Sequence, residues 1–305
     1  MVDQLVLVTG AAGGRQGKTG RHVSELLLAK RVQVRALVRK IDDRSEYLRS
    51  LGAELIQGDF LDYHSVERAT QGVSTVYFAY PVQEGLLEAT TIMADAARKA
   101  GVTRLIDMVM LVSSPDAPTP RMRENYLSER IFEWAGIGAA HVRATVFYEN
   151  LRALTAATIA RDGSIMLPWG SEGTVVPLVS AEDVAHVAVG ALTSPTLTPG
   201  SSFPVIGDVL TLGDIIATFR RVLGRDVRYQ EVPDKAWADV ALSRGFNQHA
   251  VNHLSKLWQA LRTETRPFEV PDTILKVGGK NPKTFEEFLR EHQDGFKPQS
   301  AGAGG

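Results

Sequence analysis

The sequence predicts an α/β fold, with a doubly wound parallel sheet and a smaller α/β C-terminal subdomain. Three observations predict it. Short apolar strands alternate with amphipathic helices over the first half of the chain, a glycine-rich turn separates the first strand from the first helix, and prolines break the second half into shorter pieces. Because parallel strands are joined by right-handed crossovers, we expect helices on both faces of the sheet.

The first two strands and the helix between them form the first βαβ unit. Leu5 to Val8 is a short apolar run, Arg21 to Lys30 carries leucines at helical spacing, and Val32 to Val38 alternates as a strand. The same rhythm then repeats. The further elements that we predict are strands at Glu54–Gln57, Val73–Ala79, Leu105–Val112 and His141–Thr145, and helices at Tyr47–Leu51, Ser65–Thr70, Leu86–Ala100, Glu124–Ala135, Ala181–Leu192 and Leu212–Leu223.

The rhythm changes beyond Asn150, and this change sets the predicted domain boundaries. Five prolines interrupt the next part of the chain, at positions 168, 177, 195, 199 and 204. We predict a dinucleotide-binding domain over residues 1–150 with a return segment at about 176–206, a substrate subdomain over 151–175 and 207–295, and a flexible tail over 296–305.

Composition excludes several classes of function. The 305-residue chain has a formal net charge of -1 at pH 7, which predicts no broad basic surface and therefore no nucleic-acid ligand. It has no cysteine, which excludes disulfides, thiolate nucleophiles and cysteine-bound metals and favours a reducing, cytoplasmic compartment. Its apolar segments are too short to span a bilayer, so no membrane partner is predicted.

The glycine-rich segment after the first strand fits two nucleotide-binding loops. As a dinucleotide-binding turn it uses Gly10, Gly13 and either Gly17 or Gly20. As a phosphate loop, Ala12 to Thr19 is one glycine short of the pattern G-x-x-x-x-G-K-[ST]. Both loops present backbone N–H groups and a helix N-terminus to negative charge, so both predict a phosphate-bearing ligand.

Two features favour the dinucleotide interpretation. A phosphate-loop enzyme needs an acidic magnesium ligand at the end of an apolar strand. The strands that run into Tyr80 and Ser113 do not end in such an acid, and Asp107 lies in mid-strand, where it would point into the sheet. Arg39, at the end of the second strand and followed by Lys40, suits a ribose 2′-phosphate, which arginine binds through two parallel N–H bonds. The sequence therefore favours NADP(H) over NAD(H).

Several blocks, taken in order, resemble one protein family. The blocks are VQVRALVRK (Val32–Lys40), GDFLD (Gly58–Asp62), AGIGAAHVRATVFYENL (Ala135–Leu151), VPLVSAEDVAHVAV (Val176–Val189), LTLGDIIATFRRVLGRDVRYQEVP (Leu210–Pro233) and NPKTFEEFLREH (Asn281–His292). Together they resemble the NmrA-like branch of the atypical short-chain dehydrogenases/reductases, including members related to NADPH quinone oxidoreductases. The resemblance covers almost the whole chain, implies a Rossmann fold with an NADP(H) site, and excludes the phosphate loop.

The resemblance and the spacing together assign the cofactor site. The residues that we predict to bind the cofactor are Thr9, Gly10, Gly13, Arg15, Gln16, Gly17, Lys18 and Thr19 in the turn, Arg39 and Lys40 after the second strand, Asp59 and Phe60 after the third, and Ala79, Tyr80 and Pro81 after the fourth. The turn is longer than the GATGxxG that is usual in this family, so which of its residues contact the diphosphate stays open. Tyr80 either polarises a substrate oxygen or forms a wall.

The catalytic pair of typical short-chain reductases is missing from its register. In those enzymes a Tyr-x-x-x-Lys pair delivers a proton to the carbonyl. Aligning Glu129 with the glutamate that family members carry beyond this lysine puts Arg121 at the tyrosine position and Asn125 at the lysine position. Tyr126 is one residue out of register, and we favour the solvent face of the helix for Asn125 and Tyr126. These two and Ser113, which alternatively is only a turn residue, are the catalytic candidates.

The substrate side is less well determined by the sequence. The candidates for facing a substrate are Phe147, Tyr148, Asn150 and Trp169. Trp237, Phe246 and Trp258 follow as further aromatic residues, most of which we expect in the core. His249 and His253 share a helical face but lack a third ligand, so we predict no metal site.

These observations lead to one function and one alternative. We predict a cytoplasmic NADPH-preferring oxidoreductase that transfers hydride to a small-molecule acceptor, quinone-like or a conjugated carbonyl, without the usual pair. Such an acceptor holds negative charge until solvent protonates it. The alternative is a non-catalytic NADP(H)-sensing regulator that acts through a protein partner. A homodimer is compatible with either.

Overall fold

The computed structural model describes residues 5–13 and 18–297, which form an α/β fold. The described strands are β1 Leu5–Val8, β2 Gln33–Val38, β3 Glu54–Gln57, β4 Thr75–Phe78, β5 Arg104–Met110, β6 Ala139–Ala144, β7 Val146–Phe147, β8 Ser164–Leu167, β9 Val175–Val179, β10 Ser202–Val205, β11 Asp208–Thr211 and β12 Arg228–Glu231. The described helices are α1 Thr19–Ala29, α2 Asp43–Ser50, α3 Tyr63–Thr70, α4 Leu86–Lys99, α5 Pro120–Trp134, α6 Tyr148–Asp162, α7 Ala181–Thr193, α8 Leu212–Leu223, α9 Asp234–Ser243, α10 Gln248–Thr263, α11 Thr273–Lys276 and α12 Phe285–His292.

The central sheet of the first compact unit has seven parallel strands in the order β10-β6-β5-β4-β1-β2-β3. The chain moves outward in one direction from β1 to β3 and in the other from β4 to β6. The strand order therefore reverses between β1 and β4, where the crevice beyond the carboxyl ends of the strands receives ligands in folds of this type. The predicted doubly wound parallel sheet is confirmed.

Apolar strands form the core of this unit because both faces of the sheet are covered by helices. All four residues of β4 are buried, and Leu7, Phe78 and Phe132 lie in one hydrophobic cluster with residues of α3 and α4. Near-continuous apolar runs are typical of strands in a parallel sheet. The unit comprises, of the described residues, 5–13, 18–145, 181–205 and 271–282.

The second compact unit comprises, of the described residues, 146–180, 206–270 and 283–297. Its strands form two small sheets, one of order β11-β9-β7 and one that pairs β12 with β8. Aromatic side chains fill its core, where Trp169 packs on Trp258 with ring centroids 5.1 Å apart. Tyr148 lies beside Phe285 in the same core.

These boundaries differ from those that the sequence predicts, because residues 146–150 and 176–180 lie in the second unit and residues 271–282 in the first. Residues 271–282 lie with the sheet unit because Lys280 forms ion pairs with Asp183 at 3.0 Å and with Glu182 at 3.2 Å. The predicted flexible tail is wrong at its start, since a 3₁₀ turn covers Gln293–Phe296 and Phe296 is fully buried. Residues 298–305 lie outside the described residues. Over the described ranges, none of the helices has the length and apolar character to cross a membrane.

Candidate functional site

The ends of β1 and β4 are tied together at the point where the strand order reverses. The Thr9 hydroxyl accepts a hydrogen bond from the Ala79 N–H at 2.8 Å and donates to the Ala79 carbonyl at 3.2 Å. Thr9 is fully buried and its backbone N–H donates to the Tyr77 carbonyl at 3.0 Å, so this predicted cofactor contact serves the scaffold. The carboxyl edge between the two strands is thereby fixed.

The described residues of the glycine turn after β1 meet the backbone demands of a dinucleotide-binding turn. Gly10 and Gly13 have φ of 64° and 70°, in the left-handed region that favours glycine. A Cβ at Gly20 would stand 2.3 Å from the Thr9 carbonyl oxygen, so α1 approaches β1 as closely as only glycine permits. Gly20 therefore fills the close-packing position for which Gly17 was the other candidate.

The rest of the turn is described only in part. Arg15, Gln16 and Gly17, three predicted cofactor contacts, lie outside the described residues. Lys18 is exposed and caps α1 with a φ of 58°. The Thr19 hydroxyl is buried and accepts a hydrogen bond from the Tyr77 hydroxyl at 2.8 Å, so it also serves the scaffold.

The residues beyond β2 and β3 form the second part of the site. The side chain of Arg39 is 78% exposed, and its Nη2 lies 3.4 Å from the Asp59 carboxylate. Lys40 beside it is exposed. Phe60 stands edge-on to Tyr80, with ring centroids 5.5 Å apart. Among the described residues the exposed Arg39 guanidinium has one ion pair, at 3.4 Å, so it can also bind a phosphate, and this corner fits a 2′-phosphate.

Sequence reasoning missed Arg44 at this corner. Its Nη1 donates to the Gly13 carbonyl at 3.1 Å, while its other nitrogens contact the carboxylate of Asp42, the N-cap of α2. This contact with Arg44 lowers the pKa of Asp42. A basic residue in the first turn of the helix that follows β2 was the available signal. Arg44 adds a third positive side chain between the glycine turn and Arg39.

The turn beyond β4 is held by hydrogen bonds that the sequence does not reveal. Tyr80 is 5% exposed, and its hydroxyl donates to the Glu84 carbonyl at 2.8 Å. The hydroxyl therefore fixes the turn, and of the two interpretations the structure supports the wall. Pro81 is exposed and Ala79 is buried at the crevice.

Helix α5 directs Arg121 and Asn125 toward the sheet. Arg121 is 3% exposed and donates from Nη2 to the Tyr80 carbonyl at 3.0 Å. Asn125 is also 3% exposed, and its Oδ1 lies 3.3 Å from the Met110 N–H, which donates to it. The predicted solvent-facing position is therefore wrong for Asn125, and its amide serves the end of β5. Arg121, placed by the alignment at the tyrosine position, is the second residue whose role the sequence did not show.

The other two catalytic candidates have different surroundings. Tyr126 is half-buried, and the Arg130 guanidinium lies 5.5 Å from the centre of its ring. Ser113 is 7% exposed, and its Oγ has no hydrogen-bond partner among the described residues. A buried hydroxyl left without a partner costs free energy, which makes Ser113 the candidate best placed to donate to a ligand.

Asp107, the acid that a phosphate-loop mechanism would have needed, is turned into the sheet as predicted. It is 1% exposed and accepts a hydrogen bond from the Ser128 hydroxyl at 3.1 Å. Burial raises its pKa, and His141 lies 3.8 Å away. This carboxylate cannot reach a metal at the strand ends.

The predicted substrate-facing residues divide into two classes within the second unit. Tyr148 and Trp169 are 0% and 1% exposed, so a substrate-facing role is not consistent with their place in the core. The Tyr148 hydroxyl donates to Asp208 at 2.8 Å. Phe147 and Asn150 are half-buried and remain candidates. Among the described residues, no group of three His, Asp or Glu side chains is placed to hold a metal ion, including around His249 and His253.

Comparison with curated proteins gives relatives of similar length. The chain is 31% identical over 300 residues to the (4-alkanoyl-5-oxo-2,5-dihydrofuran-3-yl)methyl phosphate reductase of Streptomyces griseus, covering 97% of this chain and 100% of the relative. It is 27% identical over 293 residues to the NAD(P)H azoreductase of Xenophilus azovorans, covering 96% and 99% of the two chains.

Solved structures share the fold over nearly the full length. The NADPH-dependent quinone oxidoreductase of Escherichia coli with bound NADPH is 22% identical, with a TM-score of 0.79 over 95% of this chain and 100% of that one. NmrA, a negative transcriptional regulator solved with NADP, is 20% identical, with a TM-score of 0.78 over 94% of each chain. The model of the NmrA-like family matches residues 2–289. The chain therefore belongs to the NmrA-like family, as its sequence blocks predicted.

Proposed function

We propose that this protein is an NADPH-preferring reductase that transfers hydride to a quinone-like or conjugated carbonyl acceptor. The observation that carries the proposal is the exposed Arg39 guanidinium at the end of β2, on the same sheet edge as the glycine turn. An adenosine 2′-phosphate at this corner meets Arg39, Lys40 and Arg44, whereas a 2′-hydroxyl adds no negative charge to a corner where Asp59 and Asp42 are the carboxylates that contact Arg39 and Arg44.

Different residues of the chain bind different parts of the cofactor. The N–H groups at the start of α1 and of the glycine turn bind the diphosphate. Ala79 and the turn at Tyr80–Pro81 form the wall of the far half of the crevice. Ser113 donates a hydrogen bond to the ligand from its Oγ, which is buried without a partner among the described residues. When bound, NADPH supplies the hydride.

The class of acceptor follows from the residues that occupy the two positions of the usual Tyr/Lys catalytic pair. Arg121 and Asn125 fill the two positions, and both are engaged with main-chain groups. Without a phenol on this helix face, an acceptor that holds negative charge until solvent protonates it is favoured over a simple ketone. The relatives agree with this class, since one is an azoreductase and the other acts on a dihydrofuran that carries an oxo and an alkanoyl group.

A second function is favoured by the same two residues. Their engagement with the scaffold leaves a cofactor pocket without a proton donor on α5, which suits a protein that only reports the NADP(H) state to a partner. The likeness to the regulator NmrA points in the same direction.

Measured turnover separates these functions. Purified protein is mixed with NADPH or NADH and a panel of a quinone, an azo dye and an enone, and cofactor oxidation is followed by absorbance. We expect oxidation of NADPH with at least one acceptor class. Tight NADPH binding without turnover on any acceptor would favour the sensor.

The cofactor preference has its own test, Arg39→Ala. Loss of a charge-assisted phosphate contact weakens binding by about ten-fold to a hundred-fold, so the Kd for NADPH should rise by this factor while the Kd for NADH changes little. Arg266→Ala is the matched control, because its side chain is 79% exposed, against 78% for Arg39, and it lies in the second unit. Equal losses for both cofactors would remove the 2′-phosphate assignment.

A further inference from the structure

Arg121 carries a buried positive charge whose role the proposed reduction does not explain. Its two terminal nitrogens donate to the carbonyls of the β4–α4 turn, from Nη2 to Tyr80 at 3.0 Å and from Nη1 to Gln83 at 3.3 Å. The guanidinium carbon lies 5.6 Å from the centre of the Tyr80 ring. Arg121 thus holds this turn at two carbonyl groups and lies over the ring of Tyr80.

The clamp lies at a definite end of the crevice. Tyr80 follows β4, and Ala79 next to it is tied to β1 through Thr9, so the turn borders the reversal of strand order. Arg39 lies on the opposite side, at the end of β2. A dinucleotide whose adenosine half reaches Arg39 crosses this reversal, which brings its nicotinamide half to the turn that Arg121 holds.

The charge of Arg121 is only partly compensated. Burial lowers its pKa to about 10, which still leaves the guanidinium protonated at neutral pH. Its nearest carboxylate oxygen, Oε2 of Glu124, lies 3.9 Å from Nη1, beyond hydrogen-bond distance. The Nε atom has no hydrogen-bond partner among the described residues. A buried cation whose charge is only partly balanced interacts with nearby charges more strongly than it would in water, because the dielectric constant around it is lower.

We infer that Arg121 is a positioning residue that clamps the β4–α4 turn and, through its charge, makes the pocket bind the reduced cofactor more tightly than the oxidised one. The inference rests on the proposed function. The nicotinamide ring is uncharged when reduced and carries a positive charge when oxidised. A fixed buried cation at the same end therefore penalises the oxidised ring and leaves the reduced ring unaffected.

The expected size of this preference follows from Coulomb's law. For an assumed separation of about 8 Å and an effective dielectric constant of about 20, the repulsion between two unit charges changes a ratio of binding constants by roughly thirty-fold. The Glu124 carboxylate offsets part of this effect. We therefore expect the charge of Arg121 to contribute about a ten-fold preference for NADPH over NADP⁺.

The test is the ratio of the two dissociation constants, Kd for NADP⁺ divided by Kd for NADPH, measured by fluorescence titration. Arg121→Gln removes the charge and should lower the ratio about ten-fold. Arg121→Lys keeps the charge but not the fork of donors, so it should retain most of the ratio even if both forms bind more weakly. Glu124→Gln removes the compensating carboxylate and should raise the ratio.

A fragment without nicotinamide, 2′-phospho-ADP-ribose, reports whether the rest of the site is intact in each variant. Its affinity should stay within about two-fold of the wild type, since the fragment ends before the turn. Arg121→Gln that weakens NADPH and NADP⁺ equally would show a scaffold role alone and overturn the inference. The same holds if Arg121→Lys loses the ratio as fully as Arg121→Gln. Wild-type protein that binds neither form would overturn the proposed function and the inference together.

Discussion

Replacing Gly20 with alanine tests the glycine turn at its tightest point. The added Cβ would stand 2.3 Å from the Thr9 carbonyl oxygen and within 2.8 Å of the Gly10 carbonyl group, whereas ordinary contacts begin at 3.4 Å. All of these atoms belong to the backbone, so the first turn of α1 must retreat by about 1 Å. Overpacking of this kind costs about 1–3 kcal/mol of folding free energy, which lowers the melting temperature by about 2–10 °C for a chain of this size.

The displaced helix also carries the N–H groups that we propose bind the diphosphate, so the Kd for NADPH should rise at least about ten-fold. Gly173→Ala is the matched control, because the nearest atom to its new Cβ is 3.6 Å away and its φ is ordinary. Thermal unfolding and fluorescence titration measure both effects. Gly20→Ala protein with the melting temperature and the NADPH affinity of the control would refute the close approach of α1 to β1.

Three further substitutions test how the strands and α5 are held. Thr9→Val removes the hydroxyl that bonds to the N–H and the carbonyl of Ala79, at 2.8 Å and 3.2 Å. The buried Ala79 N–H is then unpaired, so the free energy of unfolding measured in urea should fall by about 1–3 kcal/mol. Glu129→Ala removes the partner that holds Arg143 by two bonds, of 2.9 Å and 2.7 Å. The Arg143 side chain is 27% exposed and stays partly hydrated, so thermal unfolding should show a loss of about 1–3 kcal/mol. Burial alone would lower the pKa of His141, but Asp107 and the neighbouring glutamates outweigh it and raise the pKa above the usual 6.5. Folding then favours the protonated ring, so the free energy of unfolding should fall as pH rises above 6.5, and this slope should be smaller in His141→Asn when unfolding is measured across that range.

The sheet could be predicted from sequence because each of its signals is local. Apolar strands, glycines after helices and right-handed crossovers depend on residues close together in the chain, and the strand order of the first unit follows from them. The position of Arg39 could also be predicted from a local signal, since the number of residues between it and the glycine turn places it at the end of β2. The choice between Gly17 and Gly20 was different, because it depends on how closely α1 approaches β1.

What the sequence did not show depends on contacts between distant segments. Residues 271–282 carry no strand or helix pattern that assigns them to the sheet unit. The ion pair between Lys280 and Asp183 joins segments that are far apart in the sequence, so no local pattern predicts it. Trp169 and Tyr148 follow strands in sequence, as ligand-facing aromatics do, yet each closes the core of the second unit. Aromatic side chains at strand ends suit both roles equally, and only packing decides between them.

Helix α5 shows the same limit most clearly, because its inward face is polar. Arg121, Asn125, Ser128 and Glu129 are all buried, and a pattern of hydrophobic residues would have placed each of them in solvent. Each of them bonds to a different part of the sheet. Arg121 bonds to the turn beyond β4 and Asn125 to the end of β5. Ser128 bonds to Asp107 within β5, and Glu129 to Arg143 on β6. A buried polar group is stable only when it is paired, so these contacts fix the rotation of α5 about its axis. That rotation points Arg121 and Asn125, which stand at the positions of the missing catalytic pair, at main-chain groups of the sheet. Ser113 keeps a buried Oγ without a hydrogen-bond partner among the described residues, which is why we propose it as the donor to a ligand.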